Sequence, residues 1–383
     1  MPWRAARGAP DVAAQVCIGN RASGFPQTDF FRTLFTMKSP NGLDTLPDPQ
    51  CAPSAMAQNP PESSASPHIA VFGSVARWFD NSAAGAPEEA DAERIDWLRV
   101  LPFIGMHAAG FGVIWVGVSW IAVAVAGVLY ALRMFAITGF YHRYFSHKAF
   151  KTSRALQFLF ALIGAACVQR GPLWWAAHHR NHHRHADTEA DLHSPLQRGF
   201  FWSHMGWFLT PRGFRTDWNA IPDLRRYPEL RWLDRFDIVV PVLLAVALFF
   251  CGRWLQHAYP TLHTSGAQML IWGFFVSTTL LFHATVTINS LAHRFGSRRF
   301  DTADNSRNNW LLALITFGEG WHNNHHHFPG AARQGFRWWE IDLTYYLLRG
   351  LAACGLVWDL KPVPALVSVR AASSRSAPVR NDA

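Results

Sequence analysis

Residues 98–147 read LRVLPFIGMHAAGFGVIWVGVSWIAVAVAGVLYALRMFAITGFYHRYFSH. From Leu98 to Tyr141 the run is almost continuously apolar, and after Arg99 its only full charge is Arg133. A helix crosses the hydrocarbon core of a bilayer in about 20 residues, and this run is roughly twice as long. It divides into two spans, Leu98–Val116 and Ser119–Phe140, joined by a tight turn near Gly117, and leaves His142 and His147 at the end of the second. A second pair of spans follows, Phe236–Phe250 extending to about Gln256, then Ala267–Ile288. Leu156–Val168 and Trp310–Phe317 are apolar but too short to cross, and suit half-buried helices at the membrane interface. The expected fold is an all-α membrane protein: four transmembrane helices in two pairs, with a histidine-rich helical cap on one side.

Composition agrees with a bilayer. Half of the 383 residues are hydrophobic, and 18 Trp and 29 Phe favour a chain that works where apolar and wet surfaces meet. The net charge of +9 suggests nucleic acid at first sight. The basic residues, however, flank apolar spans instead of forming a compact patch. The loop between the span pairs carries Arg143, Lys148, Lys151, Arg154, Arg170, Arg180, Arg184, Arg198, Arg212, Arg215, Arg225 and Arg226, whereas the opposite connections carry little beyond Arg253. The positive-inside rule then puts the large loop in the cytoplasm, in a bacterium at the inner membrane. Cys17, Cys51, Cys167, Cys251 and Cys354 form no C-x-x-C pair and are expected to be free thiols. Residues 1–92 are rich in Pro, Ala, Ser and Gly and read as a disordered extension, runs such as Pro60–Pro67 and Asn81–Pro87 included; Met37 and Met56 are alternative starts. The membrane domain is expected over 93–362, with a flexible tail over 363–383.

The histidines stand at spacings that have a geometric meaning. His179, His182 and His183 form His-x2-His-His, and His322, His325 and His326 repeat it. On a helix a residue shares its face with i+3 and i+4, so each triplet is a fan of imidazoles able to contact two neighbouring ions. His142 and His147, five apart, diverge on an α-helix and suit reaching toward different metals. Asn289 and His293 stand at i, i+4 just past the fourth span. Neutral imidazole ligates Fe, Zn, Cu and Ni, and all four groups fall on the cytoplasmic side. His107 and His283, alone within apolar spans, read as hydrogen-bonded packing residues. Glu319, Asp187, Glu189 and Asp191 are candidate acceptors for the outer imidazole N–H groups.

His-Arg-Tyr-Phe-Ser-His (142–147), Trp-Ala-Ala-His-His-Arg-Asn-His-His-Arg (175–184) and Gly-Glu-Gly-Trp-His-Asn-Asn-His-His-His-Phe-Pro (318–329) resemble the three histidine boxes of membrane fatty acyl desaturases of the delta-9, stearoyl-CoA type. Arg-Gly-Phe-Phe-Trp-Ser-His-Met-Gly-Trp (198–207) and Asn-Ser-Leu-Ala-His-Arg-Phe-Gly (289–296) extend the resemblance over about residues 98 to 345. It implies a di-iron centre held by His142, His147, His179, His182, His183, His293, His322, His325 and His326, with Asn289 near the metal through water. His178 stands where the family has Asp; His185 and His327 match no ligand.

Removing hydrogen from an unactivated methylene needs an oxidant that no side chain supplies, so a metal cofactor with O₂ as co-substrate is implied. Reducing O₂ to two waters takes four electrons: two from the acyl chain and two from a donor. The sequence has no flavin or NAD fingerprint and no haem-binding segment, so the donor is a separate ferredoxin-, rubredoxin- or cytochrome b5-like protein. The resemblance implies a cis bond, usually at carbon 9, in a long-chain saturated acyl substrate, acyl-CoA in the first place; acyl-carrier protein and glycerolipid are the other carriers. Arg170, Arg198, Arg212 and Arg215 either set topology or meet a phosphate-bearing headgroup. The rivals are a membrane di-iron hydroxylase or alkane monooxygenase, and a metal carrier or sensor. A carrier would place ionisable groups along a path inside the spans, which the ligand positions do not do.

Overall fold

The computed structural model describes residues 75–83 and 92–364. It is mostly helical. The helices that matter for the site are α1 (Trp97–Val116), α2 (Trp120–Ser146), α3 (Arg154–Ala165), α4 (Pro172–His185), α5 (Val239–Ala258) and α6 (Gly266–Ser290). Three short ones follow: α7 (Trp310–Ile315), α8 (His322–His327) and α9 (Leu343–Ala353). Among them α1, α2, α5 and α6 are long and apolar enough to cross a membrane, and they fall where the apolar runs predict. α3 and α7 are too short, as expected. A two-residue ladder, β1 (Lys151–Thr152) against β2 (Val357–Trp358), is the sheet added to the helices.

α6 packs against all three other spans. At the turn-bearing end, Trp272 Nε1 donates to Gly117 O at 3.0 Å and Gln268 Nε2 to Val116 O at 3.0 Å. Trp115 and Trp120 flank that turn, each 80% exposed, as anchors at a bilayer surface are. Arg133, midway along α2, carries a guanidinium that is expensive in hydrocarbon unless fully satisfied. It donates to Thr278 Oγ1 and Ser277 Oγ on α6 at 2.7 Å and to Ala166 O at 3.1 Å. The charge thereby clamps α2 to α6.

α2 differs from expectation at its histidine end. The helix does not stop at Phe140; it continues to Ser146, wound as a π-helix from Ala136. Aromatic packing against α3 accounts for the wider turn. The Phe140 ring stacks on Phe160 at 3.9 Å, and Tyr141 donates to Ala161 O at 3.1 Å.

A second difference lies before α1. Residues 75–83 belong to the extension expected to lack structure, yet they pack on the domain. Trp78 Nε1 donates to Leu98 O at 3.0 Å, Asn81 Nδ2 to Asp234 O at 2.9 Å, and Arg235 pairs with Asp80 at 2.7 Å. The Pro/Ala/Ser composition of the surroundings conceals these few contact residues. The remainder of the extension up to residue 91, and residues 365–383 of the tail, lie outside the described residues, as do Cys17 and Cys51. Cys167, Cys251 and Cys354 are free thiols.

Candidate metal centre

α4 opens on Pro172 at its first position, where a missing N–H costs nothing, and carries the first triplet down one face. α8 carries the second. Its lead-in, Gly318-Glu319-Gly320, depends on both glycines. Gly318 sits at φ +122°, and a Cβ on Gly320 would stand 2.0 Å from Ala313 N. The tight path buries Glu319 beside His142 and Arg143.

The nine predicted histidines come together in two adjoining groups. His142, His147, His179, His183 and His325 form one, and His182, His293, His322 and His326 the other; within each, one ring nitrogen per residue lies within 4.8 Å of the rest. Each triplet divides between the groups. His142 and His147 do not: both point into the first group, against the expectation of separate metals. The π-turn is the cause, since His147 N bonds to His142 O five residues back at 3.3 Å, which brings i and i+5 into line.

The nitrogen geometry fits a cation. His325 Nε2 lies 2.9 Å from both His142 Nε2 and His183 Nε2, and one ring hydrogen cannot serve both. His147 Nε2 faces His179 Nε2 at 2.8 Å. In the second group His293 Nε2 faces His322 Nε2 at 3.0 Å, while the buried His326 Nε2 has no partner among the described residues. The outer nitrogens meet carboxylates: His182 Nδ1 with Asp191 at 3.0 Å, His293 Nδ1 with Asp187 at 2.9 Å, His326 Nδ1 with Asp304 at 2.8 Å, and His142 Nδ1 with Glu319. Each carboxylate fixes the outer proton and leaves an inward lone pair, the arrangement metal-bound imidazoles use.

Electrostatics favours the ligand form. Burial, then crowding by neighbouring imidazoles, holds His147, His179, His183, His322 and His325 well below the usual range, so they are neutral. Burial brings His326 down to about 4, with Asp304 opposing. At His182 burial also disfavours the proton, but Asp191 outweighs it. Burial works to raise Asp191, and His193 and His182 hold it well below the carboxylate range instead.

Of the four carboxylates singled out in the sequence, Glu319, Asp187 and Asp191 occupy the outer ring; Glu189 is exposed and outside it. Asp304 was missed because it stands in a loop with no periodicity to flag it. Gln334 was missed too: its Nε2 donates to Glu319 at 2.9 Å beside His142 and His325. His178 turns away to Arg215 O at 2.9 Å, and His185 and His327 are exposed. His107 and His283 hydrogen-bond to each other at 3.2 Å, as packing residues.

A largely apolar cavity of about 540 Å³ reaches this centre. Phe103 and Met106 of α1, Val242 and Val246 of α5, and Phe274 and Phe282 of α6 line it, together with Arg77, Arg99, Arg170 and His179. A cavity of about 40 Å³ between Met134, Ile137, His142 and His322 continues it. Trp175, His179, Thr285 and Asn289 line both, so Asn289 stands at the junction, its carbonyl held by Ser203 Oγ at 2.9 Å. Of the arginines considered for a headgroup, Arg198 and Arg212 pair with Glu93 at 2.8 and 2.7 Å, while Arg170 faces the cavity.

Four membrane-capable helices, two groups of convergent imidazoles and an apolar cavity running to them define a membrane protein with a histidine-built centre for work on a long hydrocarbon. Residues 118–358 match the model of the fatty acid desaturase family, and the chain belongs to that family. It is 37% identical over 281 residues to an sn-2 palmitoyl-lipid 9-desaturase of Nostoc sp. (strain 36), covering 72% of this chain and 94% of the relative. It is 40% identical over 219 residues to a chloroplastic palmitoyl-monogalactosyldiacylglycerol delta-7 desaturase of Arabidopsis thaliana, covering 56% of this chain and only 55% of that one. An acyl-CoA 5-desaturase, AL21, of Anemone leveillei is 37% identical over 234 residues, covering 60% and 68%. Desaturases are oxidoreductases of fatty acyl chains, and this chain is an enzyme of that kind.

Proposed function

We propose that the protein introduces a cis double bond at carbon 9 of a saturated long-chain acyl group, with O₂ as oxidant and two irons held by the nine histidines, Asn289 contributing through water. The observation that carries this reading is that histidines of both groups (His142, His179, His182, His322) line a small cavity that shares Trp175, His179, Thr285 and Asn289 with the large apolar one. The overall change is R–CH₂–CH₂–R′ + O₂ + 2e⁻ + 2H⁺ → R–CH=CH–R′ + 2H₂O. Iron bound at this site with O₂ supplies the oxidising power for two C–H bonds that no side chain can break.

The remaining tasks belong to the chain. Phe274, Phe282, Val242 and Val246 exclude water and restrict the acyl chain to a few conformers. Trp175, Thr285 and Asn289, shared by the two cavities, hold the carbon pair beside His179 and His142. Asp187, Asp191, Asp304 and Glu319 keep the outer proton on Nδ1 of their histidines and so the inward nitrogens free. Residues 93–362 are the catalytic domain, with the spans in two pairs and the cap facing the cytoplasm of a bacterial inner membrane, where a separate ferredoxin-, rubredoxin- or cytochrome b5-like donor supplies the two electrons.

The substrate is read as acyl-CoA. A second reading, an acyl group on a membrane lipid, is favoured by the name of the Nostoc relative. Expression in a host without its own desaturase, followed by fatty-acid profiling with double-bond location, tests the reaction. A new 9-monoene is expected; hydroxylated product without monoene would overturn the desaturase reading.

A further inference from the structure

The two histidine groups differ little in imidazoles, five against four, and much in the charge behind them. Behind the second group stand three carboxylates: Asp191 at His182, Asp187 at His293 and Asp304 at His326, at 3.0, 2.9 and 2.8 Å. Hydroxyls and backbone N–H groups supply further hydrogen bonds to them. Ser194 Oγ and Asn305 N donate to Asp187, the N–H groups of Asp187 and His193 to Asp191, and Thr302 Oγ1 and Ser306 N to Asp304. The His193 ring also reaches Asp191, at 3.3 Å.

The first group is backed by one carboxylate, Glu319 at His142, and that charge is compensated. Arg143 Nη2 stands 3.1 Å from one Glu319 oxygen, and Gln334 Nε2 donates to the other at 2.9 Å. Arg143 also pairs with Asp342 at 2.9 Å, but Asp342 spends its remaining bonds on the N–H groups of Gln334 and Tyr345. His325, whose Nε2 faces both His142 and His183, has an amide at its outer nitrogen instead of an anion. Gln334 Nε2 lies 3.4 Å from His325 Nδ1, and Gln334 Oε1, buried, has no partner among the described residues.

A carboxylate bound to the outer N–H makes an imidazole the stronger donor, and losing one costs about 10- to 100-fold in metal affinity. Buried charges are also screened little by salt. The fifth imidazole of the first group is a neutral donor and offsets only part of two missing anions. We propose that the two metal positions are unequal: the group of His182, His293, His322 and His326 takes up a divalent ion first and holds it, and the group around His325 fills second and is the one that exchanges. Arg143 and Gln334 are the positioning residues that set this order, the first by compensating Glu319 and the second by standing where His325 would meet an anion. The inference rests on the two-ion reading and adds to it the order in which the ions bind.

The test counts metal, so the reaction need not proceed. Iron-loaded, full-length protein in nanodiscs is kept anaerobic and equilibrated with chelator buffers of falling free iron(II), and the iron retained is measured. Release in two steps is expected, about 100-fold apart in apparent Kd. Asp304→Asn keeps an acceptor for His326 and removes only the charge. It should weaken the tight step about 10-fold and leave the loose step alone, and Asp187→Asn should do the same. Glu319→Gln should weaken the loose step alone. Two equal positions whose ions repel each other would also release in two steps, but then Asp304→Asn would weaken the loose one. That result, a single step for both ions, or an effect of Glu319→Gln on the tight step overturns the inference. A protein that holds one ion ends the two-ion reading instead. The inequality of the groups then stands if that ion responds to Asp304→Asn and not to Glu319→Gln, and falls otherwise.

Discussion

At the metal centre, histidines converge: His325 Nε2 lies within hydrogen-bond distance of both His142 Nε2 and His183 Nε2, and carboxylates back the second group from outside. In the seam between α1 and α6, three other histidines do something different. His107 Nδ1 donates to Phe103 O at 2.9 Å, His107 Nε2 meets His283 Nε2 at 3.2 Å, His283 Nδ1 meets His204 Nε2 at 3.1 Å, and His204 Nδ1 meets Ser290 Oγ at 2.9 Å. The Phe103 carbonyl fixes the first tautomer, and every later proton follows: each ring gives on one side and takes on the other. That line is complete without a cation, and among the described residues no carboxylate backs it. Clustering alone therefore does not make a metal centre; surplus inward lone pairs and an anionic outer ring do.

The contrast is broken most severely by removing an inward nitrogen. His182→Ala or His325→Ala should abolish monoene and reduce bound iron, measured by fatty-acid profiling and metal analysis, with membrane insertion intact. Full activity in either variant would remove that residue from the ligand set. The outer ring comes next. Asp191→Ala leaves His182 and His193 without their shared carboxylate, and should cost about 10- to 100-fold in metal affinity or activity. An Asp191→Ala protein that holds iron as the parent does would make the ring ornamental.

The sequence reveals these features unequally, and the reasons are physical. Spans are legible because a bilayer demands apolar length, and the triplets because i, i+3 and i+4 share a helical face wherever the helix lies. The pairing of His142 with His147 is not legible from α-helical spacing because it depends on a π-turn, where Phe140 and Tyr141 pack on residues of α3. Asp304 carries no periodic signal and reaches His326 only through the fold. Asn81 is hidden in a Pro/Ala/Ser-rich stretch, because one contact residue has no weight in a composition.

The seam should answer oppositely to the metal centre. His283→Ala leaves His107 Nε2 and His204 Nε2 facing a gap in a low-dielectric seam, and should cost about 1–2 kcal/mol of stability with iron content unchanged. Loss of iron in that variant would show that the seam supports the centre after all.

The smallest effect is a slope against pH. Burial, then the neighbouring His283, holds His204 down to about 4, against an ordinary value of 6.5. The unfolded chain takes up a proton near the ordinary value, while the folded one refuses it until about 4. Below both values the two states bind it equally. Unfolding thus captures a proton inside that window, and stability falls as pH drops through it. His204 is partly exposed, so the effect is damped by solvent. Many buried histidines of the metal centre share the same sign, and the difference between parent and variant isolates His204. The informative quantity is the difference between parent and His204→Phe, both iron-loaded, in melting temperature between pH 6.5 and 4. The variant should lose less stability across the window, because a phenyl ring has no proton to capture. Parallel curves would mean that His204 takes up its proton in the folded seam as readily as in the open chain, and that the line of imidazoles is not held neutral by its surroundings.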